Sequence, residues 1–241
     1  MTGKLVGVGT GPGDPDLLTI KAARAIASAD VVAFFAKSGN ASNARAIAET
    51  HLRPGQIEEA LDYPVTTEIH RHDQNYKKQI QAFYDAAAGR LAVHLDAGRD
   101  VAVLSEGDPL FYGSYMHLHV RLAPRYDHAV IPGITAMSGC WSQAGLPLVQ
   151  GDDVLTILPG TLDQPILARR LADTQGAVIM KLGRNLPKVR AALAEAGRLD
   201  DALYVERGTM ATGATIRLAD KTDDEAPYFS LILVPGWSAR P

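Results

Sequence analysis

The sequence predicts an α/β fold built from two domains, a doubly wound parallel-sheet domain over residues 1–146 and a mixed-sheet α/β domain over residues 147–241. The first domain is indicated by a short apolar run at 4–9, a glycine-rich segment, apolar residues at helical spacing, and a second apolar run at 31–36. This is the order of a β-α-β unit, whose two strands are parallel. Five later apolar runs with only two helical patterns among them indicate the second domain.

Further strands of the first domain are predicted at 57–61, 101–104 and 129–131, with helices at 40–52, 73–89 and 111–122. In the second domain the predicted strands are 154–158, 177–180, 203–205, 215–218 and 229–234, and the predicted helices are 164–174 and 185–196. The last two strands are joined by an acidic turn from Asp220 to Pro227, which is too short for a helical crossover, so they are expected to pair antiparallel. With no flexible linker visible, the domains are expected to pack closely around a cleft that holds the active site.

Composition excludes several classes of function. The chain has 241 residues and a formal net charge of −3 without long single-sign blocks, so it lacks the basic surface on which nucleic-acid binding usually depends. The one cysteine, Cys140, allows no intramolecular disulfide and is expected to be a buried structural thiol. Neither a signal-peptide core nor an apolar run of membrane-spanning length is visible, which favours the cytoplasm.

The first motif is GVGTGPGDPDLLT, residues 7–19, between the first strand and the first helix. A dinucleotide fingerprint would require glycine at position 12, but Pro12 stands there and has no backbone N–H to offer a phosphate. The second strand also ends in Phe35, Ala36 and Lys37, without the acidic residue that would hold a ribose hydroxyl. These departures argue against a nicotinamide-dependent oxidoreductase.

Two further motifs follow predicted strands: SEGDPLFYGS at 105–114 and PGITA at 132–136. In a doubly wound sheet, ligands bind beyond the carboxyl ends of the strands, and all three motifs fall there. Their glycines permit close approach of the backbone to a ligand, although each loop taken alone could equally be an ordinary strand-to-helix turn.

Together the three motifs, in this order and with a second mixed-sheet domain, resemble the tetrapyrrole methylase family of class III S-adenosylmethionine-dependent methyltransferases. The resemblance covers essentially the whole chain, including PYFSLILVPG at 227–236 and ERGT at 206–209. Within the family, the subfamily that methylates carbon 20 of precorrin-2 is most similar in four segments: FFAKSGNASNARAIAE at 34–49, YPVTTE at 63–68, LSEGDPLFYGSYMHLH at 104–119 and DVLTILPGTL at 153–162.

The resemblance implies a binding site for S-adenosylmethionine between the two domains, a tetrapyrrole substrate and a homodimer. The residues that it assigns to the methionyl end of the donor are Glu106, Gly107, Asp108, Phe111, Thr135 and Ala136, of which Glu106 stands where the family commonly has glycine. The adenosine pocket is assigned to Met180, Leu182, Ser230 and Leu231, and the border of the substrate trough to Pro12, Gly13 and Asp14.

The chemistry implied by the resemblance depends on alignment, because a sulfonium is already a good leaving group and a reduced tetrapyrrole carbon is electron-rich. This accounts for the absence of a recognisable catalytic triad or carboxylate pair. Tyr112 is the candidate for orientation or proton transfer, beside a purely structural role for its hydroxyl. Basic residues that could meet the substrate's carboxylates are Lys37, Arg45, Arg71, Lys77, Lys78 and Arg184, each of which could equally be a solvated surface charge.

Two pairs of histidines suggest metal ligands at first sight. His117 and His119 lie two positions apart on a predicted helix and point in opposing directions, while His70 and His72 lie in a loop. Because the resembled reaction uses a metal-free macrocycle, no metal is predicted. The acidic run at 223–225 is expected to be a solvated turn.

Three alternatives remain open at this stage. One is the cobalt-dependent C(20) methylase or a methylase of another ring position, and another is a nucleotide-dependent oxidoreductase. The third is a sensor that binds S-adenosylmethionine without turnover.

Overall fold

The computed structural model describes residues 1–37, 39–64 and 74–236. It divides the chain into two units, Met1–Thr135 and Ala136–Pro241. In the first unit the strands are β1 (Leu5–Gly9), β2 (Val31–Lys37), β3 (Ile57–Tyr63), β4 (Val101–Ser105) and β5 (His128–Ile131). The helices are α1 (Ile20–Ser28), α2 (Asn43–Ala48), α3 (Gln74–Asp96) and α4 (Tyr115–Leu122).

The sheet of the first unit has the strand order β3-β2-β4-β1-β5, and every neighbouring pair is parallel. Successive residues of β4 point to opposite faces, so that Val101 and Val103 pack with α3 and α4, whereas Ala102 and Leu104 pack with α1 and α2. Helices therefore cover both faces, and the predicted doubly wound α/β fold is confirmed.

The strand order places a topological switch point between β1 and β4. After β1 the chain leaves through α1 towards β2, and after β4 it leaves through α4 towards β5, on the other side of β1. The loops that follow these two neighbouring strands therefore lead in opposite directions. In open α/β sheets, ligands bind at such a crevice.

Three helices of the first unit differ from their predicted bounds. The helix predicted at 40–52 is α2 (Asn43–Ala48), followed by a 3₁₀ helix at Glu49–His51. The helix predicted at 111–122 begins at Tyr115, because Tyr112 has a φ of 55° and a residue in the left-handed region cannot continue an α-helix. The helix predicted at 73–89 continues to Asp96, since Leu91 and Leu95 extend its buried face.

The second unit contains β6 (Leu155–Pro159), β7 (Gly176–Met180), β8 (Leu203–Glu206), β9 (Ala214–Arg217) and β10 (Ser230–Val234). Its helices are α5 (Ala136–Ala144), α6 (Gln164–Ala172) and α7 (Leu186–Glu195). The sheet order is β6-β7-β10-β8-β9, with β6 and β7 parallel and the other pairs antiparallel. The predicted mixed sheet is confirmed.

The predicted pairing of the last two strands was wrong. The strand β10 lies between β7 and β8, and β9 pairs with β8 at the sheet edge. All five residues of β10 are buried, whereas Ala214, Ile216 and Arg217 in β9 are exposed. The more apolar strand takes the central position, and the segment between the two strands crosses β8 to reach it.

Helix α5 was not predicted, and it belongs to the second unit. Sequence placed the domain boundary at 146/147, whereas the structure divides the chain after Thr135. Cys140 of α5 packs with Val178, Val205 and Leu231 of the second sheet. Cys140 is buried and burial raises the pKa of its thiol to about 12, which fits the structural role predicted for it.

No helix among residues 1–37, 39–64 and 74–236 combines the length and the apolar character needed to cross a membrane.

Candidate functional site

Three glycines meet where β1, β4 and β5 end: Gly9, Gly107 and Gly133, here called the glycine triad. A Cβ atom built on Gly133 would lie 2.0 Å from the carbonyl oxygen of Gly107, and one built on Gly9 would lie 2.4 Å from the backbone nitrogen of Gly133. Both distances are far below van der Waals contact. The three sequence motifs are therefore brought together by backbone contact that no side chain can enter.

The first two motifs also hydrogen-bond to each other beyond the strand ends. Gly11 and Gly107 form an isolated antiparallel bridge, in which the N–H of Gly107 donates to the carbonyl of Gly11 at 2.8 Å. The buried hydroxyl of Thr10 donates to the carbonyl of Ser105 at 3.1 Å. Gly107 has a φ of 65°, a backbone conformation that favours glycine. These bonds therefore join the segments that follow β1 and β4 at the bottom of the crevice between the two strands.

Asp108 joins the second motif to the third. One carboxylate oxygen accepts from the N–H of Leu110 at 2.9 Å, and the other accepts from the N–H of Gly133 at 3.2 Å. Charge-assisted hydrogen bonds of this kind are stronger than bonds between neutral groups. Asp108 therefore fixes its own loop and the start of the loop after β5.

Phe111 and Tyr112 form the outer part of the second motif. Their rings are in edge-to-face contact, with centroids 4.9 Å apart. Tyr112 is 47% exposed and, with its φ of 55°, adopts a strained backbone conformation. Strain of this kind costs of the order of 1–3 kcal/mol and concentrates at functional sites.

Glu106 is half-buried beside α2. Burial raises the pKa of its carboxyl group, and hydrogen bonds from the backbone N–H groups of Glu106 and Ala44 partly oppose that rise. Ala44 lies in the first turn of α2, so the carboxyl group links the second motif to the segment that follows β2.

Pro12, Gly13 and Asp14 continue from the first motif. Pro12 is buried, whereas Gly13 and Asp14 are partly exposed. The carboxylate of Asp14 caps a short 3₁₀ helix at Pro15–Leu17 by accepting from the N–H of Asp16 at 2.9 Å. The structure thus gives Asp14 a local role in shaping the loop.

The residues expected at the adenosine pocket belong to the second unit and do not share one environment. Met180 and Leu231 pack in the cluster that contains α5, whereas Leu182 is buried on the opposite side of the sheet among α6 and α7. Ser230 begins β10, and its hydroxyl donates to the carbonyl of Pro227 at 2.6 Å. Leu182 and Leu231 are 1% and 3% exposed, so each can offer a ligand little beyond its backbone.

Thr135 and Ala136 lie on either side of the division between the units. Both are partly exposed. Ala136 is the first residue of α5 and packs against the cluster around Cys140.

The candidate basic residues differ in how far they are engaged. Both guanidinium edges of Arg45 are directed at carboxylates, with Nε 2.7 Å from Glu58 and a second contact to Glu49 at 3.3 Å. Arg45 thus serves an ion-pair cluster. Lys77, Lys78 and Arg184 are exposed, as is Lys37, which has an interaction of its own. Arg71 lies outside the described residues.

The histidines considered as metal ligands are placed apart from one another. His117 stacks on Tyr84, with centroids 4.1 Å apart, and His119 lies 3.3 Å from the hydroxyl of Tyr115 through its Nδ1. His70 and His72 lie outside the described residues. Within the part of the chain that the structure describes, no group of three or more His, Cys, Asp or Glu side chains is arranged to hold a metal ion.

A polar cavity of about 400 Å³ in the second unit was missed at the sequence level. It is lined by Glu206, Arg207, Lys221, Asp223, Glu225, Ala226 and Pro227. The ammonium of Lys221 contacts Asp223 at 2.6 Å and lies 4.8 Å from the ring centroid of Tyr204. The acidic run at 223–225 therefore forms a wall of this cavity as well as a surface turn.

Comparison with protein families and known proteins gives one consistent result. The family model described as Tetrapyrrole (Corrin/Porphyrin) Methylases matches residues 4–220. A precorrin-2 C(20)-methyltransferase of Sinorhizobium sp is 68% identical over 239 residues, which cover 99% of this chain and 98% of that protein. The cobalamin biosynthesis protein CobIJ of Mycobacterium tuberculosis is 52% identical, over 99% of this chain and 47% of its own length. A cobalt-precorrin-2 C(20)-methyltransferase of Salmonella typhimurium is 27% identical over 97% of each chain.

Two solved structures show the same fold. A cobalt precorrin-4 methyltransferase aligns with a TM-score of 0.73 and 23% identity, over 99% of this chain and 96% of the other. A uroporphyrin-III C-methyltransferase of Thermus thermophilus in complex with S-adenosylhomocysteine aligns with a TM-score of 0.65 and 23% identity, over 96% of each chain.

Replacing Gly133 by alanine tests the glycine triad. The new Cβ would lie 2.0 Å from a backbone oxygen, so the loops after β4 and β5 must separate, and we expect a loss of about 1–3 kcal/mol in the free energy of unfolding. The matched control is Gly89→Ala on the exposed face of α3, where nothing lies within 4 Å of the new Cβ and alanine should add about 0.5–1 kcal/mol. Denaturant unfolding measures both, and equal stability of the two variants would disprove the steric argument.

The raised pKa of Glu106 predicts a pH dependence. The folded state binds this proton more tightly than the unfolded state, so the associated stability is present below the unfolded pKa and is lost as pH rises through the folded pKa. The difference in melting temperature, Glu106→Gln minus wild type, should therefore increase as the pH is raised from 4 to 8.

The control has the opposite sign. The Arg45 guanidinium lowers the pKa of Glu58, so its stability contribution is present above the unfolded pKa and is lost as pH falls through the folded pKa. Relative to wild type, Glu58→Gln should therefore lose melting temperature as pH rises towards the ordinary carboxyl pKa of 4.5, and the difference should stay constant above it. Curves that run parallel to wild type for both variants would contradict these assignments.

Proposed function

Because the chain belongs to the tetrapyrrole (corrin/porphyrin) methylase family, we propose that it transfers a methyl group from S-adenosylmethionine to carbon 20 of precorrin-2, giving precorrin-3A in aerobic cobalamin biosynthesis. The observation that carries this proposal is the 68% identity to a precorrin-2 C(20)-methyltransferase over nearly the full length of both chains. Identity to the cobalt-precorrin-2 enzyme is only 27%, which favours the metal-free substrate.

The residues of the second motif suit a positively charged methyl donor. Glu106 and Asp108 place two carboxyl groups on the loop that follows β4, and Phe111 adds a partly exposed ring. The sulfonium and ammonium groups of S-adenosylmethionine are cationic, and cations are favoured near carboxylates and aromatic faces. Gly107, Thr135 and Ala136 complete the proposed contacts with the methionyl end.

The proposed adenosine contacts are residues of the second unit: Met180, Leu182, Ser230 and Leu231. Since the side chains of Leu182 and Leu231 are buried, their contribution to this pocket is through the backbone. The hydroxyl of Ser230 already donates its proton to the carbonyl of Pro227, so it can meet a nucleoside only as an acceptor, through the lone pairs of its oxygen.

The chain's part in the reaction is alignment. Bound S-adenosylmethionine supplies an activated methyl group, so rate depends on holding donor and acceptor in line. Asp108 and the glycine triad serve this purpose, because they fix the loops after β4 and β5 to each other by short backbone contacts. Rigid support of this kind is what such positioning requires.

The macrocycle is proposed to meet Pro12, Gly13 and Asp14. Its carboxylates require basic partners, and the exposed Lys77, Lys78 and Arg184 are the candidates that the structure leaves at the surface. Arg45 is a weaker candidate than its sequence position suggested, because it is paired with Glu58. The protein is proposed to act as a homodimer, as the family resemblance implies.

The test is incubation of the purified protein with S-adenosylmethionine carrying a ¹³C-labelled methyl group and metal-free precorrin-2. We expect one added methyl group by mass spectrometry and its location at carbon 20 by ¹³C NMR. A parallel reaction with cobalt-containing precorrin-2 is the control. Transfer only with cobalt-containing precorrin-2 would show that the metal complex is the substrate. A methyl group at another carbon would show that the proposed position of methylation is wrong. Binding of the donor without transfer would indicate a sensor.

Tyr112 is proposed to orient the acceptor or to take part in proton removal from it. Its half-exposed ring and strained backbone on the second motif support this role. Tyr112→Phe keeps the ring and removes the hydroxyl, so kcat should fall by roughly 10²-fold, with a changed pH profile, if the hydroxyl moves a proton.

The control for this variant is Tyr228→Phe, which removes a hydroxyl from an 84% exposed tyrosine whose ring contacts Phe229. Its kcat should equal that of wild type. A Tyr112→Phe enzyme with wild-type kcat and pH profile would leave Tyr112 with a structural role only.

A further inference from the structure

Tyr63 lies at the carboxyl end of β3, next to the end of β2. Its ring stacks on Phe35 with centroids 5.5 Å apart, contacts Phe83 at 4.8 Å and meets Tyr84 edge-to-face at 6.4 Å. Aromatic pairs at these separations hold one another in defined orientations. The ring of Tyr63 is therefore fixed, and the direction of its hydroxyl is fixed with it.

The hydroxyl of Tyr63 donates a hydrogen bond to the hydroxyl oxygen of Ser114. The two residues are 51 positions apart in the chain, so this bond joins the end of β3 to the end of the second motif. It connects a predicted functional loop to a strand that none of the three glycine motifs follows.

Ser114 occupies a position at which a serine side chain normally caps a helix. It is the N-cap residue of α4, where a serine side chain usually accepts a hydrogen bond from the backbone N–H of the second or third helical residue. Ser114 makes no such capping bond. Its oxygen instead accepts from Tyr63, so this bond joins two segments and does not cap the helix.

The turn immediately before Ser114 is strained and tightly closed. Tyr112 is in the left-handed region, and a Cβ on Gly113 would lie 2.9 Å from the carbonyl oxygen of Pro109. Strained conformations persist only where the surroundings hold them. On the amino-terminal side the turn is held by Asp108, and on the other side the contact with Tyr63 holds Ser114.

We infer that Tyr63 is a positioning residue for the methyl transfer, which acts through Ser114 to hold the turn of Phe111, Tyr112 and Gly113 in its reactive conformation. This inference rests on the proposed function. Tyr63 takes no part in the chemistry itself. Its effect follows from alignment, since a small displacement of groups around a reacting centre lowers the rate strongly while ground-state binding changes little.

The experiment compares Tyr63→Phe, Ser114→Ala and the double variant. Phenylalanine keeps the aromatic cluster and removes only the hydroxyl, so the fold is retained. We expect kcat to fall roughly tenfold in each single variant, the factor for a lost hydrogen bond of about 1.4 kcal/mol, with KM for both substrates unchanged. The double variant should fall no further than either single variant, because both remove the same contact.

The matched control is Tyr126→Phe. The hydroxyl of Tyr126 donates to Asp96 at 2.8 Å and is part-buried, but Tyr126 precedes β5 at the opposite edge of the same sheet. This variant loses that bond and the one that the hydroxyl accepts from Arg125, and it should keep the wild-type kcat.

A second readout does not depend on catalysis. Hydrogen–deuterium exchange of the backbone amides at 111–114, followed by mass spectrometry, should become faster in Tyr63→Phe and Ser114→Ala and should stay unchanged in Tyr126→Phe. Wild-type kcat and wild-type exchange in Tyr63→Phe would overturn the inference, as would additive losses of kcat in the double variant. If the wild-type protein transfers no methyl group, the proposed function fails. The exchange experiment still tests the contact, because exchange at 111–114 that is the same in Tyr63→Phe and wild type would show that Tyr63 does not hold the turn.

Discussion

Three chain segments approach so closely at the carboxyl edge of the parallel sheet that two of them cannot carry a side chain at the point of contact. Gly9 ends β1, whereas Gly107 and Gly133 follow β4 and β5, and backbone atoms of each occupy the space that a Cβ on another would need. The loops that follow these strands are therefore one unit. The placement of Glu106, Asp108 and Phe111, which belong to the middle loop, depends on that contact, as does the path of the chain past Pro12.

Polar side chains around this contact are engaged chiefly with the protein itself. Asp108 accepts from Gly133 and Leu110, Glu106 accepts from Ala44, and Tyr63 donates to Ser114. Each joins two segments that are distant in sequence or stiffens a turn. This suits a reaction in which the donor already carries the activated group, because such a reaction requires accurate geometry more than a strong acid or base.

The parallel arrangement of the first sheet and the meeting of the three motifs could be predicted from sequence, because a parallel sheet brings the carboxyl ends of its strands to one edge. The contacts of individual side chains could not be predicted. The bonds of Asp108 to Gly133 and of Tyr63 to Ser114 depend on distances between segments that no local pattern encodes, and the ion pair of Arg45 depends on the pairing of β2 with β3. Leu182 and Met180 were predicted to share one pocket, yet Leu182 packs in the cluster of α6 and α7 and Met180 in the cluster of α5. The pairing of the last two strands was wrong because a short connection was assumed to join neighbours, whereas burial placed β10 in the centre of the sheet.

That central position has a consequence for synthesis of the protein on the ribosome. β10 is the last strand of the second sheet to be made, and it pairs with β7 on one side and β8 on the other. Until residues 230–234 have emerged, β6 and β7 can pair only with each other, and β8 only with β9, so the sheet exists as two halves with open edges. The second unit therefore cannot complete its core before residue 234 has emerged, whereas β1 to β5 have all been made by residue 131 and can form their sheet earlier.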